Sequence, residues 1–161
     1  MRETTIRETG PADLPAIDAL LAEAFPAEDL SPLVRALLAE PGAALSLGAF
    51  GAAGLLGHVV FSRCGVEGGG SAALLGPLSV AETARRRGLG AVLAREGLRR
   101  MEAEGAALAV VLGDPAYYGR FGFEAPPPVA PPYPLPDGWA EAWRGIRLGA
   151  GPAPSGRLQP P

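Results

Sequence analysis

The residues best placed to do chemistry stand together at Arg85-Arg86-Arg87-Gly88-Leu89-Gly90. They follow the apolar run Leu74-Leu75-Gly76-Pro77-Leu78-Ser79-Val80 and the link Ala81–Ala84. They open into an amphipathic stretch in which Leu89, Val92, Leu93, Leu98 and Met101 are apolar. A strand feeding an Arg/Gly loop that starts a helix is an anion site. The first-turn N–H groups have no intrahelical partner, and the helix dipole points its positive end there. Glycines at 88 and 90 let an oxyanion approach the backbone with no Cβ in the way. Three arginines add donors and charge for a polyanion. The dinucleotide fingerprint fails, because its third glycine would fall at Leu93 and the loop is longer than a tight strand–helix turn. The bland alternative is a helix entry with a solvated arginine cluster.

Composition removes several rival chemistries. All 14 cations of the chain are arginines, so neither a Walker A loop nor a lysine Schiff base is available. One His and one Cys cannot furnish a Cys/His zinc site, and no metal is expected. The lone Cys64 excludes an internal disulfide and suits a reducing cytoplasm. No apolar stretch approaches the ~18 residues of a spanning helix. Met1-Arg2-Glu3-Thr4-Thr5 leads into no apolar leader segment, so neither a membrane nor secretion is expected. The net charge of −3 gives no whole-protein argument for nucleic acid or an anionic membrane, and Glu96, Glu102 and Glu104 beside the arginines of the third helix weaken a nucleic-acid reading. No Gly-x-Ser-x-Gly elbow supports a serine hydrolase.

The elements that must position the loop are legible from periodicity and punctuation. At 161 residues, 48% of them hydrophobic, one globular domain over 1–148 is expected, with a Gly/Pro-rich tail over 149–161. Residues 4–9 suit a short edge strand, and an edge strand in so small a fold admits a homodimer. Asp13 should cap a helix through Leu14, Ile17, Leu20, Leu21, Ala24 and Phe25. Ser31-Pro32 reads as cap and first turn of a second helix, stopped by Pro41-Gly42. Ala43–Phe50 and Leu55–Ser62 form a hairpin, and a Gly-rich loop at 65–70 leads to the strand Ala72–Val80. The third helix runs from about Gly88 to Glu104-Gly105, and Ala106–Leu112 is a buried strand. Asp114-Pro115 opens a short helix, prolines 126–136 forbid a regular helix or central strand, and Trp139–Leu148 could return as a strand. The sum is an α/β (α+β) fold with helices packed on a single sheet.

Two motifs in register carry a resemblance. The pattern Arg-x-x-Gly-x-Gly after a strand ending in Val80 is followed downstream by Gly113-Asp114-Pro115-Ala116-Tyr117-Tyr118-Gly119-Arg120-Phe121-Gly122-Phe123. Together they resemble the GCN5-related N-acetyltransferase (GNAT) superfamily, in particular its bacterial YhbS-like branch. The resemblance implies a mixed, mostly antiparallel sheet with a central splay and helices on both faces. It also implies acetyl-CoA as co-substrate, with the coenzyme A pyrophosphate on Arg85, Arg86, Arg87, Gly88, Leu89, Gly90 and Ala91. The pantetheine arm would lie along Leu78, Ser79 and Val80 as an added strand. Gly76-Pro77 fits this, because a proline lacks the ladder N–H and regular pairing fails locally. A backbone N–H near Val80 could polarise the thioester. Tyr118 would protonate the leaving thiolate; a phenol of reference pKa ~10 is protonated at neutral pH. Tyr117 and Phe123 are read as packing residues, with Tyr117 also at the coenzyme. Asp114 or a water would replace the asparagine that many relatives place near coenzyme A.

The implied reaction is direct transfer of an acetyl group to a primary amine, on a small molecule or a peptide, in a ternary complex. Rival readings are a non-catalytic acyl-CoA-binding module on the same fold, and a binder of some other phosphate-rich ligand. For Tyr118 the alternative is an aromatic plug with its hydroxyl on a backbone carbonyl. Glu28, Asp29 and Glu67 are candidates for a general base, each against the alternative of a solvated carboxylate. His58 and Cys64 are read as structural.

Overall fold

A computed structural model describes residues 3–161; Met1 and Arg2, at which the leader reading began, lie outside them. Its contacts divide the chain into two units. One contains the residues up to Phe61 together with Pro77–Gly97, and the other Ser62–Gly76 with Leu98–Pro161. Three elements, β3 (Gly54–Val66), β4 (Ser71–Val80) and α3 (Leu89–Ala103), contribute residues to both.

In the first unit, β1 (Thr5–Glu8) pairs antiparallel with β2 (Ala44–Gly51) in the register Thr5↔Phe50 to Glu8↔Leu47. The order continues through β3 to β4. The helices α1 (Leu14–Ala24) and α2 (Ser31–Ala39) bury Ile17, Leu21 and Val34 against Val60 of β3. Alternate residues of β3 point the other way, onto α3. A Cβ on Gly57 would lie 2.9 Å from Leu93 Cδ1, and one on Gly97 only 1.9 Å from Phe61 Cε1. Helices therefore cover both faces of this sheet, and glycine sets how closely α3 approaches. Gly97→Ala should lower stability by about 1–2 kcal/mol, since Phe61 is fully buried and an overpacking cost in the upper part of about 1–3 kcal/mol outweighs the ~1 kcal/mol that alanine returns in helix propensity. Denaturant melts check this; at an uncrowded helical glycine the sign would reverse.

The second unit holds the far halves of β3 and β4 with β5 (Leu108–Leu112), β6 (Val129–Ala130), β7 (Trp143–Arg147) and β8 (Gly156–Gln159). Its helical residues are the end of α3, the short α4 (Pro115–Gly119) and a 3-10 turn at Ala140–Ala142. β4 pairs with β5 in parallel, and β5 with β7 antiparallel. Cys64, Val66, Leu108, Val110, Trp143 and Leu158 are among its buried core residues.

Several boundaries depart from the sequence reading for identifiable reasons. Asp13 does precede α1, but its carboxylate makes no cap to that helix. It accepts instead from the Gly10 N–H at 2.7 Å and pairs with Arg7 at 3.0 Å. The cap of α2 is Leu30 rather than Ser31, and Asp29 Oδ1 accepts the Ser31 N–H. β3 runs on to Val66, leaving only 67–70 as the turn. The segment read as a tail contains β8, which pairs antiparallel with β3 (Gly65↔Gln159) and in parallel with β6, with Leu158 buried. Among the described residues no helix is long and apolar enough to cross a membrane.

Candidate active site

The Arg/Gly loop is built entirely within the first unit. Upstream, the parallel β4–β5 register ends at Leu75↔Val111, and the next residue, Gly76, has φ 142°. Few residues other than glycine tolerate that angle, and Pro77 follows with no N–H to give. Leu78, Ser79 and Val80 thus lie beyond the last rung of the parallel ladder. On its other side β4 stays tied to β3, where the Ala81 N–H donates to the Leu56 carbonyl at 2.8 Å.

After a single 3-10 turn at Glu82–Ala84 the chain enters the loop. Arg86 is the one non-glycine residue with positive φ among the described residues (66°), and Gly88 follows at 74°. Left-handed residues alternating with right-handed or extended ones turn successive N–H groups toward one concavity. The Gly88 carbonyl accepts from the Val92 N–H at 3.1 Å, so Leu89, Gly90 and Ala91 present the unpaired N–H groups of the first helical turn. A Cβ on Gly88 would meet no other atom within 4 Å. The space before the loop is open. Arg85 donates from Nε to the Val80 carbonyl at 3.2 Å, bracing the turn. Arg86 and Arg87 are exposed and have no acidic partner among the described residues. A cleft of ≈ 700 Å³ lined by Leu56, Thr83, Arg87 and Leu89, among others, opens beside them.

The second motif lies in the second unit. Asp114 Oδ1 accepts the Ala116 N–H at 3.0 Å and caps α4, with Pro115 in the first turn. The helix brings Tyr117 and Tyr118 edge to face at 5.0 Å, and Phe123, fully buried, packs on Tyr118 at 5.9 Å. The Tyr118 ring lies over Gly113, where a Cβ would come within 2.3 Å of Cε2. Its hydroxyl has no hydrogen-bond partner among the described residues, unlike the plug reading, which required a backbone carbonyl. Burial, then the neighbouring Tyr117 and Asp114, pushes the phenol up to about 12, so it is protonated at any physiological pH. Tyr117 packs against Phe121 at 5.4 Å under the guanidinium of Arg120.

Other candidates fall where their environments dictate. Glu28 and Asp29 are exposed on a small cleft of ≈ 290 Å³ at the α1–α2 connection. Glu67 is exposed in the β3–β4 turn. Burial pushes the Cys64 thiol up to about 11, which makes it a poor nucleophile. Among the described residues no group of three or more His, Cys, Asp and Glu could hold a metal ion.

His58 is fully buried, and its Nε2 lies 2.7 Å from Ser46 Oγ, which is 2.6 Å from Thr9 Oγ1. The sequence reading passed over this line. Its signal was a serine and a histidine inside two otherwise apolar strands. Burial lowers the imidazole to about 4. Between that value and its ordinary ~6.5 the unfolded chain binds the proton and the folded one does not, so stability falls as pH drops through this window. The expected loss is about 3 kcal/mol between pH 7 and pH 4, and His58→Gln should flatten that limb of the denaturation curve.

The family model "Acetyltransferase (GNAT) domain" matches residues 5–125. The uncharacterized N-acetyltransferase YhbS of Escherichia coli (strain K12) is 40% identical over 121 residues, 74% of this chain and 72% of the relative. The crystal structure of E. coli YhbS in complex with CoA superposes with a TM-score of 0.86 at 34% identity, covering 98% of this chain and 89% of that one. A GNAT family acetyltransferase from Brucella melitensis, in complex with acetyl-CoA, gives 0.80 at 30% identity, over 99% and 96% of the two chains.

Proposed function

The chain belongs to the GNAT acetyltransferase family, and we propose that it moves an acetyl group from acetyl-CoA directly to a primary amine in a ternary complex. The observation that carries this is the loop at the start of α3: the N–H groups of a first helical turn, left-handed Arg86 and Gly88, and two arginines without acidic partners among the described residues. A pyrophosphate needs such a cradle, and two of the similar structures hold CoA and acetyl-CoA.

In this reading Arg85, Arg86, Arg87, Gly88, Leu89, Gly90 and Ala91 hold the pyrophosphate. Leu78, Ser79 and Val80 offer backbone groups to the pantetheine amides, as an added strand would. The amine nitrogen bonds to the thioester carbonyl carbon, the C–S bond breaks, and the electron pair leaves on sulfur. Tyr118 donates a hydrogen bond and then its proton to that sulfur; burial that raises the phenol also raises the thiolate it serves. Asp114 acts through the cap that sets α4, and Tyr117 through the ring it lays against Tyr118. The acceptor is a small molecule or a peptide, and the setting is the cytoplasm.

Calorimetry with acetyl-CoA, followed by turnover against a panel of primary amines, tests the assignment. Binding and turnover are expected together. Binding without turnover on any amine would make the chain an acyl-CoA-binding module, and no binding would remove the coenzyme assignment.

A further inference from the structure

Glu23 stands in the last turn of α1, where the negative end of the helix dipole disfavours an acid. No basic residue in that turn offsets it, and Glu23 makes no ion pair among the described residues. Its Oε2 instead accepts the Glu82 N–H at 2.6 Å, across 59 positions of sequence. Both residues belong to the first unit. An acid misplaced for its own helix is therefore well placed for another segment, the one that leads into the Arg/Gly loop.

Glu82 opens the 3-10 turn that carries the chain from β4 to Arg85. The first N–H groups of such a turn lack internal partners, and its cap, Ala81, has no side-chain oxygen to offer. Glu23 supplies the missing acceptor from a distant element, and a carboxylate on a backbone N–H makes a charge-assisted bond. The acid takes this N–H rather than an arginine, so Arg86 and Arg87 keep their charge for a polyanion. The loop needs outside support. Residues 85–88 are exposed, and Arg86 holds a φ of 66° that persists only where the surroundings over-determine it. Two further braces are local: the Ala84 N–H on the Ala81 carbonyl at 2.9 Å, and Arg85 Nε on the Val80 carbonyl. A local brace moves with the segment it braces. Glu23 ties that segment to α1, whose Ile17 and Leu21 are anchored in the core.

Resting on the acetyl-CoA reading, we propose that Glu23 is a positioning residue of the coenzyme site. Its carboxylate fixes the turn at 82–84, so the Arg/Gly loop stands in its binding shape before the coenzyme arrives. Glu23 acts through the Glu82 N–H and touches neither coenzyme nor acceptor. A loop ordered in advance has less conformational entropy to lose on binding, and the difference appears in Kd. Once the coenzyme is bound, the chemical step gains nothing further from it. Reach matters more than charge. Aspartate ends one methylene short of the N–H that glutamate meets at 2.6 Å, whereas glutamine keeps an acceptor oxygen at the same distance along the side chain.

The test is calorimetry with acetyl-CoA on the full chain and three variants. Glu23→Ala should raise Kd about tenfold, the loss expected for one charge-assisted hydrogen bond. Glu23→Asp keeps the charge but loses the reach, and should follow it. Glu23→Gln keeps the reach but loses the charge, and should stay within about threefold of wild type. Exchange of the Glu82 amide hydrogen should quicken in Glu23→Ala and Glu23→Asp but not in Glu23→Gln. A merely structural role would lower the melting temperature of Glu23→Ala and leave Kd alone. The reverse is expected, because the acid removed stood at the disfavoured end of its helix and alanine has the higher propensity. The comparison of Glu23→Asp with Glu23→Gln decides the matter even where Glu23→Ala fails to fold. Wild-type Kd in Glu23→Ala, or binding by Glu23→Gln no better than by Glu23→Asp, overturns the proposal and leaves the coenzyme assignment standing. A wild type that binds no acetyl-CoA overturns both.

Discussion

Tyr118→Phe is expected to lower kcat by about 10²–10⁴-fold, the usual contribution of a positioned proton donor, while the Kd for acetyl-CoA changes by less than about twofold. The substitution removes one oxygen and keeps the ring. That ring covers Gly113 and packs against Tyr117 and Phe123, so α4 should stay in place. Because the hydroxyl has no partner among the described residues, its loss should leave thermal stability nearly unchanged. With the phenol pushed up to about 12, the wild-type group is protonated throughout the working range. A fall in activity at high pH should therefore not come from Tyr118 below that value. Single-turnover mixing of enzyme, acetyl-CoA and amine separates the chemical step from binding. Unchanged turnover in Tyr118→Phe would remove the residue from the mechanism.

Gly88→Val should weaken acetyl-CoA binding by at least about tenfold, with a smaller effect for Gly88→Ala. Two causes add. The φ of 74° is strained for any residue with a Cβ and most for a β-branched one, at a cost of about 1–3 kcal/mol. The new side chain would also enter the open space before the loop, where no protein atom lies within 4 Å of the added Cβ but a phosphate oxygen is expected. The strain falls on an exposed turn, so the melting temperature should move far less than the affinity. Normal affinity by calorimetry would mean that the pyrophosphate sits elsewhere.

Much of this was legible before any coordinates, for local reasons. Gly76-Pro77 announces a break in strand pairing because its two residues have restricted or permissive backbones wherever they occur, and the parallel register does end one residue earlier. Gly105 marks the end of α3 with φ 97°, and Asp114-Pro115 starts α4 by a cap that reaches only two residues along the chain. The arginine–glycine loop belongs to the same class, since a helix start presents unpaired N–H groups whatever packs behind it.

Other features were hidden because their partners lie far along the chain. Asp13 has the side chain of a helix cap, yet Arg7 and the Gly10 N–H draw its carboxylate away from α1. Residues 156–159 sit in a Gly/Pro-rich stretch, and their partners, β6 and the edge of β3 some ninety residues earlier in the chain, make them a strand.

By itself, then, the sequence determined the Arg/Gly loop at the start of α3, the order of the elements as far as α4 and the aromatic motif there, because turn, cap and period-based signals act over a few residues. The tertiary structure alone decided that Ser46 and His58 share a buried hydrogen bond, and that Tyr118 rests on Gly113 with its hydroxyl unpaired. The first depends on strand register. A shift of one residue would turn every side chain of β3 or β4 to the opposite face, and which register is taken is set by turn geometry together with the burial of one face across the sheet.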